Sequence, residues 1–218
     1  MKPDDIHRAM SILNEESRSW RTPAVTIVAE DSRSPYKVLV SCIISLRTKD
    51  EVTARASQML FEHAATPEAM QQLSAPEIAK LIYPAGFYRT KAEQILAISR
   101  KLAAEYDGRV PDSLDELLTF RGVGRKTANL VLTLGFGLPG ICVDTHVHRI
   151  CNRWGYVATR TPDATEMALR AQLPPEYWID INDLLVAFGQ NICLPVSPRC
   201  SLCRLNELCA RIGVTHSR

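Results

Sequence analysis

Residues 117–153, LLTFRGVGRKTANLVLTLGFGLPGICVDTHVHRICNR, restrict the fold more than any other stretch of the chain. Gly122 and Gly124 flank Val123 in a turn too tight for side chains, and the apolar run from Ala128 to Leu134 follows as a buried helix. This is a helix-hairpin-helix pattern. The backbone N–H groups of such a hairpin face outward at a helix N-terminus, where they can take a phosphate oxygen without reading a base.

The rest of the chain is predicted to be helical as well. Residues 4–19 place Ile6, Met10 and Leu13 on one side of an amphipathic helix that Thr22-Pro23 breaks. The apolar segment YKVLVSCIISL after Pro35 fits strand or buried helix by periodicity, and its helical surroundings favour helix. Capping-box patterns at Thr48/Glu51, Ser74/Glu77, Thr90/Glu93 and Ser113/Glu116 announce helix starts. Ile95, Ile98, Leu102 and Tyr106 share a helical face, Thr161-Pro162 opens a helix to about Gln172, and Trp178 to Asn191 form another. No Asn-Gly hairpin with alternating strands appears, so the expected class is all-α. AGFYRTKAEQIL (85–96) aligns without gaps on RGVGRKTANLVL (121–132), either as a degenerate second hairpin or as two unrelated helix starts.

Several function classes are excluded. Gly135-Phe-Gly137-Leu-Pro-Gly140 fits G-x-G-x-x-G but follows a helix and contains Pro139, so it is read as a helix stop. GVGRKT lacks the glycine spacing of a P-loop. The longest uncharged run, Thr127 to Val143, is broken by glycines and Pro139 and falls short of the about 20 apolar residues of a membrane span. MKPDDIHRAM has neither the apolar core of a signal peptide nor transit-peptide character, so a cytoplasmic location is expected. A net charge of +2 does not demonstrate nucleic-acid binding, which has to rest on clusters such as Arg121, Arg125 and Lys126.

Seven cysteines in such a chain argue for a metal site or buried thiols rather than disulfides. Cys42, Cys142 and Cys151 stand singly among apolar residues and read as core. Cys193, Cys200, Cys203 and Cys209, spaced Cys-x6-Cys-x2-Cys-x5-Cys, gather four thiolates suited to zinc or a [4Fe-4S] cluster. Zinc ribbons use two separated Cys-x2-Cys pairs and only one is present, which leans toward the cluster.

Lys126 stands at a helix start, where the helix dipole disfavours a cation. It fits an exposed phosphate-binding lysine, or one whose neutral amine is favoured by that dipole and by Arg125 and which forms a Schiff base with a sugar carbon. Asp144 fits an N-cap, and also a carboxylate able to take a proton from the amine or to stabilise developing positive charge. His146 and His148 read as packing or hydrogen-bonding groups, His146 being kept as a candidate DNA contact.

Together GVGRKTAN, VDTHVHRICNR and the Cys-x6-Cys-x2-Cys-x5-Cys loop resemble the endonuclease III family of DNA glycosylases, from about Pro35 to Cys209. The resemblance implies two lobes: a six-helix barrel with the hairpin, residues 26–137, and a [4Fe-4S] lobe of residues 1–25 and 138–218. It implies a monomer acting on damaged double-stranded DNA in a cleft between them, cytoplasmic and associated with the nucleoid. By the family's chemistry a damaged pyrimidine is flipped out, Lys126 attacks C1′ and β-elimination follows, assisted by Asp144. Gly122, Val123, Gly124 and Arg125 would contact the DNA backbone, as would Arg199 and Arg204 of the cysteine loop.

Three departures bear on substrate. Arg47 stands where many family members have a glutamine that fills the gap left by the flipped nucleotide, and its fork of donors favours other partners on the opposite strand. Phe87 stands where the family often has a leucine wedge, and Arg121 replaces the usual hairpin proline. Competing expectations are a mismatch or adenine glycosylase, which generally lacks the lysine, and a redox-sensing DNA-binding module.

Overall fold

A computed structural model describes residues 1–218, and the chain is helical throughout, with no strand. Its helices are α1 (Asp5–Ser17), α2 (Ala24–Ser32), α3 (Pro35–Ser45), α4 (Asp50–His63), α5 (Pro67–Met70) and α6 (Ala75–Leu81). They continue with α7 (Tyr88–Glu105), α8 (Leu114–Leu118), α9 (Arg125–Leu130), α10 (Thr145–Trp154), α11 (Pro162–Gln172) and α12 (Ile181–Asn191). The all-α expectation holds. Two compact units result, one of Ala24–Leu138 and one of Met1–Pro23 with Pro139–Arg218.

In the Ala24–Leu138 unit, α3 is the central helix. Pro35 occupies its first turn and Ser34 caps it, accepting from the Lys37 N–H at 3.4 Å. Almost every later residue of the helix, Val38 to Ile44, is buried, which explains why its periodicity was ambiguous: a helix apolar all round has no solvent face to mark the period. It packs on α2, α4, α7 and α9. Each fully buried Leu or Ile side chain, such as Leu39 and Ile43, contributes about 1.5–3 kcal/mol. The polar groups taken inside are paired, Tyr36 with Ser99 at 2.7 Å and Ser41 with Ser57 at 3.0 Å. After α9 the chain widens into a π-helical turn, Val131–Gly135, with Gly135 against Pro35 of α3.

The other unit is built on α1, α10, α11 and α12. Ile6, Met10 and Leu13 of α1 share a core with Val147, Ile150 and Trp154 of α10 and with Leu185 and Phe188 of α12. The partner that the apolar face of α1 requires is therefore α12, remote in sequence.

Local expectations are revised at four places. Only Ser74 and Glu77 form a reciprocal capping box. Thr48 caps nothing, because its hydroxyl is engaged elsewhere and α4 starts after Lys49. Thr90 lies inside α7, which starts at Tyr88 after Phe87 turns the chain in a left-handed conformation, φ +56°. Ser113 precedes α8 without a side-chain cap bond. The helix α2 has no counterpart in the sequence reading: Val25, Thr26, Ile27 and Val28 carry little intrinsic helix preference, and packing on α3 and α4 supplies what propensity lacks.

Candidate active site

The two hairpin glycines stand in different surroundings. Gly122 has φ +81°, and a Cβ there would lie 1.6 Å from Gln94 Nε2, whose amide donates to Arg121 O at 2.9 Å. Gly124 has φ −95°, which any residue adopts, and a Cβ there would meet nothing within 4 Å. The protein's own packing thus leaves the outer face of the turn bare at Gly124. Val123 is buried and its N–H donates to Phe120 O at 3.0 Å, so it secures the turn from inside. Arg125 and Lys126 open α9, with Lys126 exposed to solvent.

Asp144 is the N-cap of α10: Oδ1 accepts the N–H groups of His146 at 2.8 Å and Val147 at 2.9 Å. The side chain is nearly buried, at 9% exposure, and both cap bonds fall on the same oxygen. Beyond the cap, His146 and Arg149 pair at 3.2 Å over the backbone of α12 at Gly189, where a Cβ would lie 2.2 Å from the imidazole. His148 bonds Thr165 at 2.7 Å, in the local role expected of it.

The helix that Asp144 caps also holds the cysteine loop. Arg149 donates to Cys193 O at 2.8 Å, and Arg153 donates to Leu194 O and Pro195 O at 2.6 Å each and toward Cys193 Sγ at 3.5 Å. Cys193, Cys200, Cys203 and Cys209 all line one small cavity, closed on its apolar side by Trp154 and Phe188. Burial, with the neighbouring Cys193, Cys209 and Cys200 adding repulsion, pushes the Cys203 thiol up to about 12. Burial raises the Cys209 thiol as well, so these two thiols ionise in the cavity only against a cationic group. No three donors converge on one ion position. The remaining cysteines, Cys42, Cys142 and Cys151, are buried in the core, where desolvation holds the Cys151 thiol far above its usual range.

Arg47 and Phe87, distant in sequence, meet at the surface. The Arg47 guanidinium lies 5.6 Å from the centre of the Phe87 ring, and Phe87 is 63% exposed. Arg199 is exposed, and Arg204 is engaged with Glu15 at 3.0 Å. The repeat of 85–96 on 121–132 is not a second hairpin: the left-handed residue is Phe87 in one copy and Gly122, not the aligned Val123, in the other.

The sequence reading missed Lys91, which is 4% exposed and donates to Ile44 O at 2.7 Å, to Leu46 O and to Thr48 Oγ1 at 2.9 Å. A signal was present, since Lys91 falls on the same helical stripe as Ile95, Ile98 and Leu102, where a cation needs a buried partner.

Known proteins carry the same architecture. Residues 40–175 match the HhH-GPD superfamily of base excision DNA repair proteins. Endonuclease III of Thermotoga maritima is 51% identical over 175 residues, covering 80% of this chain and 82% of that one. A non-covalent endonuclease III–DNA complex superposes with a TM-score of 0.85 at 30% identity, over 97% of this chain and 96% of the other. A trapped covalent endonuclease III–DNA intermediate, an estranged-adenine complex, gives 0.84 at 29% identity over 97% of each chain. The chain belongs to the HhH-GPD superfamily of base excision DNA repair proteins and, within it, to the endonuclease III family.

Proposed function

We propose that Lys126 and Asp144 perform a bifunctional DNA glycosylase and abasic-site lyase reaction on oxidised pyrimidines in duplex DNA. The observation that carries this reading is an exposed lysine opening the helix after a glycine hairpin whose outer face is bare at Gly124, in a chain similar to an enzyme caught covalently on DNA. The hairpin around Gly122 and Gly124 holds the phosphate backbone, and Arg125 adds charge beside it. The damaged nucleotide leaves the stack, since C1′ is otherwise out of reach. The Lys126 ammonium first loses a proton, the step for which Asp144 is proposed as general base. The Nζ lone pair then forms a bond to C1′ as the glycosidic bond breaks, its electrons leaving with the base, which picks up a proton. The sugar ring opens to a protonated Schiff base, loss of a C2′ proton expels the 3′ phosphate, and water at C1′ releases Lys126. Asp144 offers its second oxygen for this proton traffic while Oδ1 stays with the helix cap.

Cys193, Cys200, Cys203 and Cys209 hold a [4Fe-4S] cluster. When bound, the cluster cross-links the loop and, with four protein ligands, presents no open position to substrate. Arg149 and Arg153 brace that loop against α10, so the cluster's part is to fix the helix that Asp144 caps. Arg199 presents positive charge from the same loop.

Incision assays on duplexes with one defined lesion test the substrate class. Cleavage of a duplex containing thymine glycol, with little cleavage of T·G or A·8-oxoguanine mispairs, is expected. Activity confined to the mispairs would overturn the assignment.

A further inference from the structure

We propose that Lys91 is a positioning residue, the buried mount that holds Arg47 and Phe87 together as one rigid wedge against the strand opposite the lesion. The inference rests on the reading of Arg47 and Phe87 as DNA contacts. Both residues are held in the left-handed region without being glycine, Arg47 at φ +52° and Phe87 at φ +56°. Such conformations cost of order 1–3 kcal/mol each and persist only where the surroundings over-determine them.

The surroundings here converge on one ammonium group. Lys91 has three donors and three acceptors: Ile44 O at 2.7 Å, Leu46 O, and Thr48 Oγ1 at 2.9 Å. The two carbonyls belong to the C-terminal end of α3, where a cation is favoured and carbonyls lack helical partners. Leu46 and Thr48 flank Arg47, so the chain is pinned on both sides of the exposed residue. Thr48 extends the knot to the second loop, because its hydroxyl also receives the Gly86 N–H at 3.1 Å. Gly86 precedes Phe87, and a Cβ on Gly86 would lie 2.4 Å from Arg47 O, so the two loops touch through bare backbone. Lys91 closes the ring through its own N–H, which donates to Phe87 O at 3.0 Å.

The result is an exposed aromatic ring with a guanidinium beside it, on loops that have almost no freedom left. A wedge that unstacks bases requires that stiffness, since a flexible side chain would yield instead of the stack. A hydrophobic residue in place of Lys91 would fill the space, strip the Ile44 carbonyl of its donor and leave the Leu46 carbonyl only the Thr48 hydroxyl at 3.2 Å, freeing the loops to relax out of the left-handed region.

The test uses the full, cluster-loaded chain and a duplex with 2-aminopurine opposite a stable abasic analogue. Lys91→Met and Thr48→Val are expected to keep duplex affinity, carried mainly by phosphate contacts, within about threefold. Both should lose most of the rise in 2-aminopurine fluorescence that the wild type produces on binding. Both should also flatten the ratio of incision rates across the four opposite bases by about tenfold, within what a misplacement of about 1 Å costs. Thr48→Ser, which keeps the hydroxyl, should restore both. Should Lys91→Met fail to fold, the Thr48 pair decides. Wild-type fluorescence and base ratios in Thr48→Val, with both lost in Arg47→Ala, would overturn the role of Lys91. Wild-type values in Arg47→Ala and Phe87→Ala would overturn the wedge itself, and the mount with it.

Discussion

Asp144 caps α10 through one oxygen, and substitutions can separate that structural duty from the chemical one proposed for it. Asparagine retains an oxygen that can accept the His146 and Val147 N–H groups, whereas alanine does not. Asp144→Asn should therefore melt within about 0.5 kcal/mol of the wild type, and Asp144→Ala should lose about 0.5–2 kcal/mol. Both should incise abasic and lesion duplexes at least about a hundredfold more slowly, as expected for loss of a general base. Denaturation midpoints measured beside single-turnover rates check this, and a fast Asp144→Asn would reduce the residue to a cap. Lys91 supplies a pH dependence of stability. Burial lowers its pKa from 10.5 to about 8, and none of its three acceptors is a carboxylate to oppose that shift. Between those values the unfolded chain holds a proton that the folded chain has released, so stability should rise as pH increases from about 8 to 10.5. Urea midpoints across that range should show the rise in the wild type and a shallower slope in Lys91→Met.

At the scale of elements, the hairpin makes the sharpest contrast. Gly122→Ala meets both a positive φ and the Gln94 amide, so it should destabilise the fold by about 1–3 kcal/mol. Gly124→Ala meets neither and should fold like the wild type while binding duplex DNA about tenfold more weakly, because the added methyl would occupy the open face proposed to receive the phosphate. Thermal melts and fluorescence anisotropy on the same two variants separate the cases. The G-V-G pattern showed that a turn was there but not which glycine the protein's own packing requires and which it leaves open. That distinction depends on Gln94, which lies in another helix. The capping signals were similarly incomplete: Ser74 and Glu77 behave as their spacing suggests, whereas Thr48 is drawn away by Lys91 and Gly86, groups that only tertiary structure brings to it.

For the whole molecule, helical class, the exposed lysine at the start of α9, the Asp144 cap of α10 and the gathering of the four cysteines were legible because each is local in sequence or bound to a strict spacing. Three features were not: the partner of α1, the presence of α2, and the meeting of Arg47 with Phe87. Each depends on contacts between distant segments. The cysteine cavity makes a prediction at this scale, since it joins the C-terminal loop to α10 and α12 in one unit. Anaerobically purified protein should be brown and contain about four irons per chain. Cys203→Ser should lose the colour and lower the melting temperature of the unit that contains α1, and zinc without iron in the wild type would contradict the assignment. The central claim, that Lys126 is the nucleophile, is tested most directly by borohydride trapping on a duplex with a single abasic site. Lys126 is exposed, so its replacement should change stability by no more than about 0.5 kcal/mol. The wild type should yield a covalent protein–DNA adduct and Lys126→Ala none, while still binding the duplex. An adduct undiminished in Lys126→Ala, or none with the wild type, would contradict the account.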